Sequence, residues 1–223
     1  MKNKEIYIKI KKAGIVITHA CEVGVYLPET SNVIDFIEDG IRTTLVEPDP
    51  DVKNKIIKRF AGYPNVKLFP FAIYDNHGKI TLSRAGASTF ITNLENTPAI
   101  ANDNYKKNNK DTFEAECRMF SEIDNGTIDL LSIDIEGAEW YVIKDMKSHP
   151  KVISVETHGR YYENPFLQDI LERMNENGYT CWYKGKTDSV FVLDSLYKKN
   201  FMEKLHLFYK NLYIKYRKTR EKN

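Results

Sequence analysis

"IDLLSIDIEGAEWYVI", residues 128–143, changes character halfway along. Its first part is apolar and β-branched, the pattern of a strand buried on both faces. Its second part opens at Gly137 and carries Ala138, Trp140, Val142 and Ile143 into a helix expected over 138–146. Between them three carboxylates, Asp134, Glu136 and Glu139, fall within six positions. Strand alternation sends Ser132, Asp134 and Glu136 one way and Leu131, Ile133 and Ile135 the other. A buried strand that feeds a helix through an acidic turn is the repeating unit of a parallel sheet.

The same unit recurs outward in both directions. Upstream, "GIVITHACEVGV" (14–25) reads as a strand and "SNVIDFIEDG" (31–40) as a short helix capped by Asn32. "RTTLVEPDP" (42–50) is a second strand stopped by prolines, and "DVKNKIIKRFAG" (51–62) a helix with Ile56, Ile57 and Phe60 inward. "NVKLFPFAIYD" (65–75) is a third strand, followed by the turn "DNHG" and the strand "KITLSRA". Residues 93–111 show no apolar period and read as a loop or lid, and "TFEAECRMF" (112–120) as an edge strand. Downstream, "KVISVETH" (151–158) is a strand, "FLQDILERMNENG" (166–178) an amphipathic helix, and "YTCWYKGKTDSVFVLD" (179–194) two strands around a turn. Alternating strands and helices predict an α/β fold with a mostly parallel sheet, helices on both faces and an antiparallel last strand.

Composition narrows the function classes. The 223 residues suit one domain, and 42% apolar with 29% charged is ordinary for a globular protein. No segment approaches the ~20 apolar residues of a membrane span, and the lysine-rich start lacks the apolar core of a signal peptide; a cytoplasmic protein is expected. Cys21, Cys117 and Cys181 have neither zinc nor disulfide spacing. Net charge is +2, but residues 196–223 carry nine Lys/Arg against Glu203 and Glu221. That tail is +7 and residues 1–195 are −5, so no nucleic-acid partner is expected of the body.

In open parallel sheets ligands bind beyond the carboxyl ends of the strands. There the first strand presents Glu22 and Gly24, and the second presents Glu47, 23 positions after Gly24. An acid at that place accepts the hydroxyls of a ribose. GxGxxG and GxxxxGK[ST] are both absent, so the ligand carries a ribose but few phosphate contacts, a description that S-adenosylmethionine (SAM) meets. Asp134 emerges beside the same pocket, with Glu136 next to it, while Glu139 reads chiefly as helix-start charge. The fifth strand ends in Glu156-Thr157-His158, and His158 is a candidate general base or a metal ligand with Asp134 and Glu156.

"VEPDPD", "FAIYDNHGKITL", "GAST", "IDLLSIDIEGAEWYVI", "VISVETHGRYY" and "GYTCWYKGKTDSVFV" occur in an order that resembles the FkbM family of SAM-dependent methyltransferases, over roughly residues 15–194. The resemblance implies a seven-stranded, Rossmann-like class I methyltransferase fold and O-methylation of hydroxyls, often on glycans. Carried over, Glu22 and Gly24 match the first cofactor loop, Glu47 the ribose acid, Ala72 the adenine edge and Asp134 the fourth-strand acid. The first loop departs from the family pattern: the acid is Glu22 and Pro28 stands where a second glycine is usual. On this basis His158, Asp134 and Glu136 are the catalytic candidates, with a divalent metal as an alternative means of activating the hydroxyl. The competing readings are a non-catalytic adenosine-ligand module and a metal-dependent hydrolase built on Asp134, Glu156 and His158.

Residues 196–223 form a separate basic segment. Leu196, Phe201, Leu205, Phe208, Leu212 and Tyr216 recur at helical spacing among lysines. Such a helix either packs on the body or lies peripherally on an anionic membrane.

Overall fold

The computed structural model describes residues 3–220, with side chains described as far as Arg217. At its centre lies β1 (His19–Val23), five residues that are all buried. It pairs in parallel with β2 (Arg42–Val46) on one side and with β8 (Leu130–Ile133) on the other. From β2 the sheet extends to β3 (Val66–Phe69), and from β8 to β9 (Val152–Glu156). The antiparallel strand β11 (Asp188–Leu193) adds to β9 and pairs with the edge strand β10 (Tyr179–Lys184). The order is therefore β3-β2-β1-β8-β9-β11-β10, seven strands of which the last in sequence runs antiparallel. The chain winds outward in both directions from the β1/β8 junction, which is the switch point of the sheet.

Helices cover both faces because successive strand residues point to opposite sides. Leu130 and Val152 face Phe36, Ile37 and Ile56, which come from α2 (Ile34–Glu38) and α3 (Pro50–Arg59). Leu131, Ile133, Ile153 and Val155 face Val142 and Ile143 of α5 (Glu139–Ile143) and Ile170 and Met174 of α6 (Leu167–Glu176). The N-terminal lysine-rich stretch, unassigned from sequence, is α1 (Glu5–Lys12); Ile6 and Ile10, one turn apart, bury against the first of these layers.

A second sheet differs from expectation. The long strand read over 65–75 breaks at Pro70, which has no N–H for the ladder. Its second half, β4 (Ala72–Ile73), leaves the main sheet and joins β7 (Thr112–Arg118), β5 (Gly78–Ala85) and β6 (Ser88–Ile91) in the order β4-β7-β5-β6. β7 is thus interior to its sheet and not an edge strand. Arg84 of β5 ties this sheet to the main one: its guanidinium donates to both carboxylate oxygens of Asp49 at 2.5 and 3.0 Å and stacks over Phe113. Asp49, not read as a cap from sequence, is also the N-cap of α3, accepting from the Asp51 N–H, with Pro50 at the first helical position. Conversely, Asn32 does not cap α2; its backbone and side chain bond Glu22 and Ser132 instead.

The 93–111 segment is partly helical. Thr97 accepts from the Ile100 N–H and Pro98 opens α4 (Pro98–Asp103). The C-terminal helix α7 (Phe201–Arg220) is anchored at its start, where Glu203 accepts from the Tyr197 hydroxyl and Lys199 donates to Thr180 and Cys181 on β10. Beyond that anchor Phe208, Tyr209, Leu212 and Tyr213 are exposed. No described helix is long and apolar enough to cross a membrane.

The switch point closes on a single glycine. Gly24 has φ +88°, its N–H donates to the Val46 carbonyl, and the Asp134 N–H donates to the Val23 carbonyl beside it. A Cβ built on Gly24 would overlap the backbone carbonyl of Asp134. The glycine is needed for this crossing of backbone over backbone, whatever else approaches it. Gly24→Ala is expected to destabilise the fold by about 3 kcal/mol or more, since strained φ and a backbone clash add. Thermal or urea unfolding of the variant checks this; a loss below about 0.5 kcal/mol would contradict it.

Candidate functional site

A cleft of about 690 Å³ opens over the carboxyl ends of β1, β2 and β8, within the usual range for a small-molecule site. Its walls come from the turns after these strands, from the second sheet, and from the β10–β11 turn. Glu22, Gly24, Glu47, Ala72, Asp134 and Glu136 all line it. The cofactor candidates read from sequence are thus brought together in one place.

Each acid is held differently. Glu22 is buried and accepts from the Ser31 hydroxyl and, at 2.7 Å, from the Asn32 N–H. Pro28 explains how: it opens a short 3-10 turn, Pro28–Thr30, that delivers Ser31 and Asn32 onto Glu22. The departure from the usual glycine therefore builds a support for the acid. Burial pushes the Glu22 carboxyl up to about 7 despite these donors. Glu47 is buried as well, accepting from the N–H groups of Val25 at 2.9 Å and Asp49 at 2.8 Å, and burial pushes it up to about 8. The two backbone donors fix its carboxylate while leaving lone pairs for a further donor.

Asp134 and Glu136 sit at the tip of the stretch 128–143. Burial, then the charge of Glu136 and Asp188, raises the Asp134 carboxyl well above the usual range. Glu136 is held at φ +59°, a left-handed conformation uncommon for so long a side chain. Such strain persists where the surroundings enforce it, often at functional sites. Burial pushes Glu136 up to about 7 against a hydrogen bond from Ser88, and its Oε2 has no hydrogen-bond partner among the described residues.

Glu139 is what holds that loop. It is fully buried, and its carboxylate accepts from the Ile135 and Gly137 N–H groups at 3.0–3.1 Å and from the Asn164 side chain at 2.6 Å. The helix-start reading of Glu139 is corrected accordingly. It lies in the first turn of a helix, but its partners are the backbone of the preceding loop and a side chain from beyond β9.

His158 lies elsewhere. It is buried, its Nδ1 is 3.0 Å from the Thr157 hydroxyl, and its N–H donates to the Thr187 carbonyl. It is not among the residues that line the cleft. Among the lining groups not singled out from sequence are Lys186, Thr187 and Asp188, in what reads there only as a hairpin turn. Burial pushes Asp188 up to about 6. The 93–111 and 159–166 segments meet one another: Asn102 accepts from the N–H groups of Tyr161 and Tyr162, and Asn96 donates to the Glu163 carbonyl.

The donor set suits SAM. Phe71, Ala72 and Ile73 give an apolar wall, Glu47 a fixed acceptor for vicinal hydroxyls, and Glu22, Asp134 and Glu136 negative charge for a ligand bearing a sulfonium and an ammonium. The unpartnered Glu136 oxygen marks where a polar or cationic group is wanted.

No curated protein matches the chain. Among solved structures it is similar to the methyltransferase domain of bacterial CtHen1, at 10% identity over 84% of this chain and 94% of that one, with a TM-score of 0.46. It is also similar to precorrin-6y C5,15-methyltransferase from Geobacter metallireducens, at 12% identity over 84% and 87% of the two chains, with a TM-score of 0.38. The methyltransferase FkbM domain matches residues 22–181, from the first cleft acid to the edge strand β10, and the chain belongs to the FkbM methyltransferase family.

Proposed function

We propose that the chain is a SAM-dependent O-methyltransferase acting on a hydroxyl of a sugar in a glycan or glycoconjugate. Membership of a methyltransferase family implies SAM use. The observation that carries the finer reading is the pair Asp134 and Glu136 at the inner end of the cleft, carboxylates available to an acceptor hydroxyl next to the cofactor loops.

SAM supplies a methyl group already activated on a sulfonium, so the chain's task is alignment and proton removal. Glu47 holds the ribose hydroxyls, and Glu22 and Asp134 lie on the side suited to the cationic methionine end. Glu136 is the general base: it lines the cleft, has an oxygen without a partner among the described residues, and is kept rigid by its backbone. It takes the proton of the sugar hydroxyl as that oxygen attacks the methyl carbon. His158, the first candidate from sequence, is set back from the cleft lining and forms a β-bridge with Glu163, closing the loop that carries Tyr161 and Tyr162. Of these, Tyr161 is exposed, and with Arg160 it is suited to stack on and bond a pyranose ring, whereas Tyr162 is fully buried.

The apolar, lysine-bearing exposed surface of α7 supports a peripheral membrane contact in the same reading. Arg217, near its end, donates to the Gly159 carbonyl, beside the tyrosine loop. A helix lying on the membrane would therefore sit next to the acceptor end of the site, which suits a lipid-linked glycan.

Glu136→Gln is expected to lower turnover on a sugar acceptor by about 10²–10⁴-fold while leaving S-adenosylhomocysteine binding by calorimetry within a factor of a few. A full loss in His158→Gln with Glu136→Gln still active would return the base to His158. A second expectation concerns pH. Glu22 and Glu47, raised by burial, hold protons in the folded chain that the unfolded chain has lost. Their contribution to ligand-free stability is full below pH 4.5 and is lost as pH rises through about 7 and 8. A cationic ligand favours the ionised carboxylate at Glu22, so SAM should bind several-fold more tightly at about pH 7.5 than at about pH 6, and Glu22→Gln should flatten the dependence. An unchanged affinity across that window contradicts the assignment. For α7, sedimentation with phosphatidylserine vesicles should be salt-sensitive and weaker in Phe208→Ser/Leu212→Ser; binding equal to that of neutral vesicles would count against a membrane contact.

A further inference from the structure

The ends of β8 and β9 and the start of α5 bring three carboxylates together at the inner edge of the cleft. Asp134, Glu139 and Glu156 each offer an oxygen, and these oxygens lie within 4.8 Å of one another. Glu139 is fully buried and Glu156 is 5% exposed. Glu139 stands in the trio where sequence reasoning expected His158.

Three N–H donors, from Ile135, Gly137 and Asn164, fix the Glu139 carboxylate in place, so that its oxygen is held where it meets those of Asp134 and Glu156.

A separate observation points to a ligand at the same place. Tyr162 is fully buried, and its hydroxyl has no hydrogen-bond partner among the described residues. That hydroxyl faces the cluster: Glu139 and Glu156 are the charges that act on it most, and it lies 3.5 Å from where a Cβ on Gly137 would be. The second oxygen of Glu156 is likewise buried without a partner among the described residues. A fully buried phenol outside the carboxylate trio is left without a bond that an intervening ion and its water would supply.

We infer that Asp134, Glu139 and Glu156 form a binding site for a hard divalent cation, with the Tyr162 hydroxyl bonding a water on that ion. All-oxygen ligands select Ca²⁺, Mg²⁺ or Mn²⁺ over softer metals. Oxygens within 4.8 Å of one another can share one such ion, since oxygens on opposite sides of Ca²⁺ are about 4.8 Å apart. Because Asp134 also lines the cleft, a bound cation would reach an acceptor hydroxyl there and ease its deprotonation. That catalytic role rests on the methyl-transfer reading, whereas the binding itself does not.

The test is titration of the full chain with Mn²⁺, followed by electron paramagnetic resonance, with Ca²⁺ and Mg²⁺ as competitors. The expected result is saturable binding near one ion per chain and a rise in melting temperature with Ca²⁺ or Mn²⁺. Glu156→Gln should weaken Mn²⁺ at least about tenfold while S-adenosylhomocysteine still binds; if Glu156→Gln does not melt cooperatively, Asp134→Asn, read for Mn²⁺ binding alone, takes its place. Absence of saturable Mn²⁺ binding by a chain that binds S-adenosylhomocysteine overturns the inference. So does undiminished binding in a folded variant, which would locate the ion elsewhere. A chain that binds Mn²⁺ but methylates nothing keeps the cation site and removes the transferase reading; one that methylates in chelator and binds no Mn²⁺ does the reverse.

Discussion

The buried carboxylate of Glu139 is the fixed point of the active end of this molecule. By accepting from the N–H groups of Ile135 and Gly137 it bends the chain around Glu136 and holds that residue in a left-handed conformation. By accepting from Asn164 it joins the loop after β8 to the loop after β9. Asn164 in turn donates to the Glu156 carbonyl, so the ends of two adjacent strands are locked through one side chain. A buried carboxyl of this kind is tolerated only where its hydrogen bonds are satisfied, and the requirement fixes the loop's shape. The positions of Asp134 and Glu136 follow from it.

The other wall of the cleft depends on a second constraint, between the two sheets. The bidentate pair of Arg84 and Asp49 brings β5 to the end of β2, beside Glu47. Burial alone would raise the Asp49 carboxyl, but Arg84 and the Asp51 N–H more than offset it and hold it below the usual carboxylate range. Asp49 is thus charged where Glu47, two residues earlier, is raised. One acid is spent on architecture and the other is left for a ligand's hydroxyls.

Much of this was legible in the sequence, for identifiable reasons. Strands β1, β2, β8 and β9 are buried on both faces, so their apolar runs are continuous and their acidic ends conspicuous. Glu22, Gly24, Glu47, Asp134 and Glu136 could be placed because a parallel sheet sends its strand ends to one side. What failed depended on partners distant in sequence. Lys186–Asp188 looked like any polar turn, and only the antiparallel insertion of β11 beside β9 carries it to the cleft. Glu139 has the residue type and position of a helix-dipole acid, and nothing local distinguishes it from the buried clamp that it is. Pro70 was a readable break passed over inside an otherwise convincing strand, and α1 carried only Ile6 and Ile10 as a sign of its inner face.

The distribution of charge then acquires a single physical rationale. Five acids line the cleft, Glu22, Glu47, Asp134, Glu136 and Asp188, against two lysines, Lys4 and Lys186. Four of them, all but Asp134, have carboxyls pushed up to about 6, 7, 7 and 8 by burial, and Asp134 is raised well above its usual range. A site built for phosphate would invert that balance and place N–H groups and cations at the strand ends. Here the lining is acidic, and burial raises each of its carboxyls. The body's net charge of −5 stands against the basic segment of residues 196–223. In the proposed reading the acidic cleft receives a cationic donor while α7 faces an anionic surface.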